Sequence, residues 1–304
     1  TRTDFSWDTS LALGTAGPFG GTLSPGQRFI GFRDTLRPNL FDRNTTSGTV
    51  DFELTLSPVL TGTGQIFASR YDADDAFDTE RDQQALLFGG IYTPDARTEI
   101  IATLGRREID ASVTGKIEGP EAELSYTRAL PRGSFTLSGQ VEQTIAGQRN
   151  DVQASRLFEF PLAEFEASVG VARTEGTDTE PVFSLRYTQA LARGELSASV
   201  SRTVSVNTDA DVAGVTRAAV EYVRALTQTT QLNIGVDFTD VADISNTGVT
   251  ERQRGELTAT LNREITQDWG ISVGVSRRYL DENGITRSDS SVFATVQRSF
   301  SVRP

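Results

Sequence analysis

Reactive chemistry is sparse in this 304-residue chain, and what it lacks narrows the field first. It contains no histidine and no cysteine. A Ser-His-Asp triad, thiol chemistry and the usual imidazole and thiolate zinc sites are therefore excluded. Gly14 to Gly21 is glycine-rich, but no Gly-Lys-Ser/Thr follows, so it is not a phosphate loop. Asp72, Asp74, Asp75, Asp78, Glu80 and Asp82 form the densest acidic cluster. Without the glycine of a calcium-binding turn it reads as a solvated loop that attracts divalent ions loosely. No enzyme activity, cofactor or resident metal is expected.

The remaining charges alternate with apolar residues instead of clustering. Asp8, Asp51, Glu53, Glu121, Glu123, Glu142, Glu166, Glu221, Asp237 and Glu256 lie opposite apolar positions, as do Arg186, Arg217 and Arg278. Such residues can hold strands together by cross-strand pairing. They can also line an aqueous path, and the excess of acids would make that path prefer cations.

Alternation of this kind needs strands to position it. In Glu256 to Tyr279, Leu257, Ala259 and Leu261 alternate with threonines and Asn262 on one arm. On the other arm Trp269, Ile271, Val273 and Val275 alternate with glycines and serines. Successive side chains on a strand point to opposite faces, so this is a hairpin with one apolar and one polar face. The unit recurs from Val50 to Thr239, between a first strand at Thr3 to Gly14 and a closing strand at Ser290 to Val302. That makes one strand, seven hairpins and one strand, or about sixteen strands. Ala16 to Ser47, rich in Gly and Pro, reads as a long first loop. Its apolar anchors suggest that it folds into the interior, with Arg28, Arg33, Arg37 and Arg43 setting a constriction.

The composition agrees with this pattern. Hydrophobic residues make up 37% of the chain, below the ~45–50% usual in globular proteins. No run approaches the ~20 apolar residues of a membrane helix; Ala85 to Tyr92 is the longest. A spanning β-strand needs only ~9–11 residues, and charges facing lipid would cost about 2–4 kcal/mol each at mid-membrane. The charged face must therefore meet water. A net charge of −12 argues against nucleic acid as a partner. A start at Thr1 and the absence of methionine suit a processed, exported chain.

Links inside the hairpins are short and those between them longer, as in Asp110 to Pro120 and Ala242 to Arg252. Trp7, Tyr126, Phe135, Phe158, Phe165, Tyr187, Tyr222, Trp269 and Phe300 are read as collecting at the short-turn end, like a membrane-interface girdle. Val292, Ala294 and Val296 lead to Phe300 in the last strand. In these features the chain resembles the outer-membrane β-barrels of Gram-negative bacteria, in size most closely the sixteen-stranded porins. The resemblance implies an all-β fold: one domain over residues 1–304, a closed antiparallel up-and-down transmembrane barrel. Turns and termini would be periplasmic and the longer loops extracellular. It further implies an outer-membrane location, contact with lipid and lipopolysaccharide, recognition of the last strand by the barrel-assembly machinery, and a homo-oligomer among the partners. The expected function is passive or semi-selective passage of small hydrophilic solutes. A secretion conduit, for instance for an exopolysaccharide, and a non-conducting surface-interaction barrel are the alternatives.

Overall fold

The computed structural model describes residues 2–14, 17–32, 41–75, 78–112, 114–206, 211–244, 251–266, 268–282 and 284–298. They form one antiparallel up-and-down sheet of eighteen strands. β1 (Arg2–Asp8) and β2 (Leu11–Leu13) lie beside β3 (Phe19–Phe32). β4 (Arg43–Ser57), β5 (Leu60–Ala73), β6 (Thr79–Asp95), β7 (Thr98–Ala111), β8 (Gly115–Leu130) and β9 (Gly133–Thr144) follow. Next come β10 (Gly147–Phe160), β11 (Ala163–Thr174), β12 (Glu180–Leu191), β13 (Gly194–Val206) and β14 (Val212–Ala225). β15 (Thr230–Asp243), β16 (Arg252–Glu264), β17 (Trp269–Glu282) and β18 (Ile285–Arg298) complete the sheet. From β3 onward each strand pairs with the next in sequence. No register joins β18 to β1 or β2 among the described residues.

Two corrections account for eighteen strands where sixteen were expected. The stretch read as a long inward loop contains β3, paired on one side with β1 and β2 and on the other with β4. Gly20, Gly21, Pro25 and Gly26 look like loop punctuation, yet Phe19, Leu23 and Phe29 keep period two through them. The first strand, in turn, is split in two. β1 and β2 share a single register with β3, and the break at Thr9 faces Pro25, which has no N–H to give to the ladder. Thr9 N–H still donates to the Pro25 carbonyl at 3.2 Å.

Placing β3 in the sheet also separates the chain ends. β4 and β5 meet at the short turn Pro58–Val59, so β3 starts at the short-turn end and β1 starts at the opposite one. β18 runs toward the short turns. The described ends therefore lie at opposite edges of the sheet, not together.

The two faces differ as the alternation requires. Leu104, Leu124 and Val169 are 66%, 58% and 67% exposed at mid-strand on one face. Phe52 lies across Gly64, its direct partner, and meets Phe88 edge-on at 6.2 Å. Buried apolar residues are few and gather at the end away from the short turns. Ile109 and Ala111 of β7 pack with Ile145, and Val206 of β13 reaches this group and a second one of Ala172, Val182, Val204 and Val212. These contacts draw the far ends of β7, β13 and the β9–β10 turn together.

The strands outrun a bilayer. β6 is 17 residues long and β9 is 12, against the ~9–11 that a tilted strand needs to cross. The excess lies at the far end, where the connections are shorter than the sequence suggested. There the otherwise apolar face carries charges: Arg70 with Asp72 and Glu80, Arg106 with Glu118, and Lys116 with Glu108.

Candidate lumen face

The residues predicted to line an interior all share the polar face by register. One row crosses eight strands: Glu166, Arg186, Ser199, Ala219, Asp237, Glu256, Arg278 and Asp289 are successive direct partners. Arg186 stands 4.0 Å from Glu166. Glu256 accepts from Arg278 and Arg254, each at 3.0 Å. Asp237 has no ion pair among the described residues, although it directly opposes Glu256. A groove of about 500 Å³ runs along this row, lined by Arg186, Ser199, Glu221, Asp237 and Thr258 among others.

Elsewhere on the face, Asp51 accepts from Gln65 at 2.7 Å. Asp8, Glu53, Glu123 and Glu221 are exposed and make no ion pair among the described residues, and the same holds for Arg217. Unpaired acids in a row of mostly hydroxyl and glycine neighbours leave the surface negative.

The tightest polar cluster joins the predicted Glu121 and Glu142 to Arg107, which the sequence reading did not include. Arg107 grips Glu121 through two hydrogen bonds, 2.9 and 2.7 Å, and approaches Glu142 at 3.9 Å. Its guanidinium also stands 5.8 Å from the ring centre of Phe67. Ala85, the direct partner of both Phe67 and Arg107, is small enough to let the two meet across it. Arg107 and Glu142 border a pocket of about 290 Å³ with Arg81, Gln83, Arg149, Ile109 and Val206. The signal was present in Arg106-Arg107, because adjacent strand residues must take opposite faces. Arg106 pairs with Glu118 on the apolar face and Arg107 with Glu121 on the polar face.

Of the proposed constriction arginines, Arg28 and Arg43 are on strands and not on a loop. Arg28 sits in β3 and bonds Asp4 at 3.2 Å, while Arg43 opens β4 on the polar face. Arg33 and Arg37 lie outside the described residues.

The aromatic row is largely where alternation puts it. Tyr126, Phe135, Phe158, Phe165, Tyr187, Tyr222 and Trp269 lie on the apolar face close to the short turns. Phe158 and Phe165 stack at 6.2 Å. Trp7 is a correction. It stands midway along the β1–β2 run and donates to Gln27 at 3.3 Å, because the first strand runs opposite to the direction expected. Phe300 lies outside the described residues. Phe19, Tyr92 and Phe160 are exposed aromatics near short turns that the reading did not include.

No protein-family model matches the chain, and no curated protein matches it in sequence. Solved structures do match in shape. The siderophore receptor PirA from Pseudomonas aeruginosa superposes with a TM-score of 0.59 at 9% identity, over 98% of this chain and 71% of that one. The copper transporter OprC gives 0.58 at 9% identity, covering 93% of this chain and 62% of its own. The FrpB iron transporter from Neisseria meningitidis gives 0.56 at 10%, covering 92% and 61%. At such identities the likeness is one of architecture. The chain has the fold of the Gram-negative outer-membrane β-barrels.

Proposed function

We propose that the sheet closes into an outer-membrane barrel whose polar face lines a water-filled, cation-preferring path for small hydrophilic solutes. The observation that carries this reading is the pair of exposed faces of opposite character. Aliphatic side chains stand open on one, and unpaired Asp8, Glu53, Glu123, Glu221 and Asp237 stand open on the other. An aliphatic face needs lipid, and an ionised face needs water. Only a barrel wall separates the two continuously, since a spanning sheet tolerates no free edge.

Transport is also what the structural neighbours do, by the descriptions siderophore receptor, copper transporter and iron transporter. What those proteins carry is not assigned to this chain. Small solutes fit better with Val206 packing against the group of Ile109, Ala111 and Ile145 at the far end. Planar-bilayer recording of the purified chain in a salt gradient is the test. Open-channel conductance with a cation-selective reversal potential is expected, and Asp237→Asn with Glu221→Gln should weaken the selectivity. A folded, inserted chain that conducts nothing, or selects anions, refutes the reading.

A further inference from the structure

β12 and β13 separate near the far end. Their ladder stops at Phe183 and Arg202, although β12 starts at Glu180 and β13 runs on to Val206. β13 stays paired with β14 as far as Val206 and Val212. Beyond Arg202 the β13–β14 hairpin therefore leaves β12 as an intact unit. Side-chain parity shows which way it goes. Arg202, Val204 and Val206 follow Ala198 and Val200, the direct partners of Tyr187 and Leu185 on the apolar face. Glu180 and Val182 precede Ser184 and Arg186 on the polar face, and Ala172 follows Glu166 there. Yet Arg202 bonds Glu180 at 3.0 Å, and Val204 and Val212 are buried with Ala172 and Val182. The apolar side of the hairpin thus meets the polar side of β11 and β12. In a wall that stays in plane those two sides never touch. The end of the hairpin stands on the polar-face side of β12, where Val206 packs against the group of Ile109, Ala111 and Ile145.

The pocket of about 290 Å³ lies beside this end, with Val204 and Val206 of the hairpin and Arg81, Arg107 and Arg149 among its borders. Arg107 is held by Glu121 and lies 3.9 Å from Glu142, and Arg149 lies 3.5 Å from Asp151. Arg81 lies 5.5 Å from the centre of the Tyr71 ring. These three arginines stand beside three carboxylates, and Arg202 beside Glu180, so the charges at this level balance. Glu221 and Asp237 lie nearer the short turns.

We propose that the far end of the β13–β14 hairpin sets the bore of the path and selects solutes by size, leaving charge selection to Glu221 and Asp237. The proposal rests on the channel reading above. A barrel of this strand number encloses a wide aqueous interior unless something occupies it. The hairpin end occupies it, braced by the apolar side of Val204, Val206 and Val212. Thr203 and Ser205, which alternate with the valines, stay exposed.

The test replaces residues 204–214 by Asn-Gly, which joins the direct partners Thr203 and Val215 through a tight hairpin turn. In planar bilayers the shortened chain should conduct roughly twofold or more above the parent, with an unchanged reversal potential. In liposome swelling it should admit neutral oligosaccharides that the parent excludes. Trimming the β17–β18 end between the partners Tyr279 and Ser288 in the same way should change neither. Placement is tested separately and without a current, because the chain has no cysteine. Ile109→Cys with Val206→Cys, at two positions bordering the same pocket, should be bridged by dibromobimane in the folded chain. A folded double-cysteine chain that is not bridged, or a shortened chain that conducts as the parent does, overturns the proposal and leaves the channel reading standing. A shifted reversal potential overturns the selection by size alone. A parent that conducts nothing while the bridge forms overturns the channel reading itself, and the bore with it.

Discussion

Arg107 and Glu121 face each other across β7 and β8 with both guanidinium–carboxylate bonds made, at 2.9 and 2.7 Å, and with 17% and 11% of their side chains exposed. A pair this enclosed ties β7 to β8. Removing one partner strands the other as an uncompensated charge. Arg107→Ala should lower stability by about 3 kcal/mol, and Arg107→Met with Glu121→Leu should recover most of that loss. Urea unfolding in vesicles reads both. Equal stability of Arg107→Ala and the parent would show that water solvates Glu121 freely.

Leu104 and Leu124 belong to the exposed aliphatic band at mid-strand, where they face Ala122 and Ala102 across β7 and β8. If lipid covers this face, Leu124→Arg should cost about 2–4 kcal/mol of folding free energy in a bilayer. Glu123→Arg, one residue away on the polar face, should cost far less. The comparison needs only the same unfolding assay, and similar costs for the two would place both faces in water.

Gly64 has no room for a side chain while Phe52 covers it. A Cβ built there would overlap the ring, which is a movable group. Gly64→Ala should push the ring aside and weaken its edge contact with Phe88, at a cost of about 1 kcal/mol. Phe52→Leu made together with it should be close to Phe52→Leu alone. Additive losses in the double-mutant cycle would mean the ring and the glycine are not coupled.

Asp95 at the β6–β7 turn has its carboxyl held below the ordinary value, first by the hydrogen bond from the Arg97 backbone N–H. A carboxylate depressed by folding stabilises the turn fully above the unfolded value, near ~4, and loses that contribution as pH falls through the lowered folded value. Carboxyl-carbon NMR should show Asp95 titrating below the other turn acids. Asp95→Asn should remove the turn's acid sensitivity, and a midpoint at or above the ordinary value would exclude the bond.

Pattern that is local was legible in the residues. The polar-face rows Glu166–Arg186 and Asp237–Glu256–Arg278 follow from period two alone, because a strand fixes which side each residue takes without knowing its neighbour. Most of the aromatic row was readable for the same reason. β3 was not. Gly20, Gly21, Pro25 and Gly26 are poor strand formers in isolation, and what makes them a strand is having β1, β2 and β4 on both sides to accept and donate.

By itself, then, the sequence determined a long succession of two-faced antiparallel strands, with one face for lipid and one for water. The tertiary structure decided what depends on pairing. It set eighteen strands in place of sixteen, put the described ends at opposite edges, moved Arg28 from a plug to a bond with Asp4, and joined Arg107 to Glu121. Alternation specifies faces at each residue, but direction, count and partner are sums over the whole ladder. A single strand gained near the N-terminus reverses the sense of the first strand relative to everything after it.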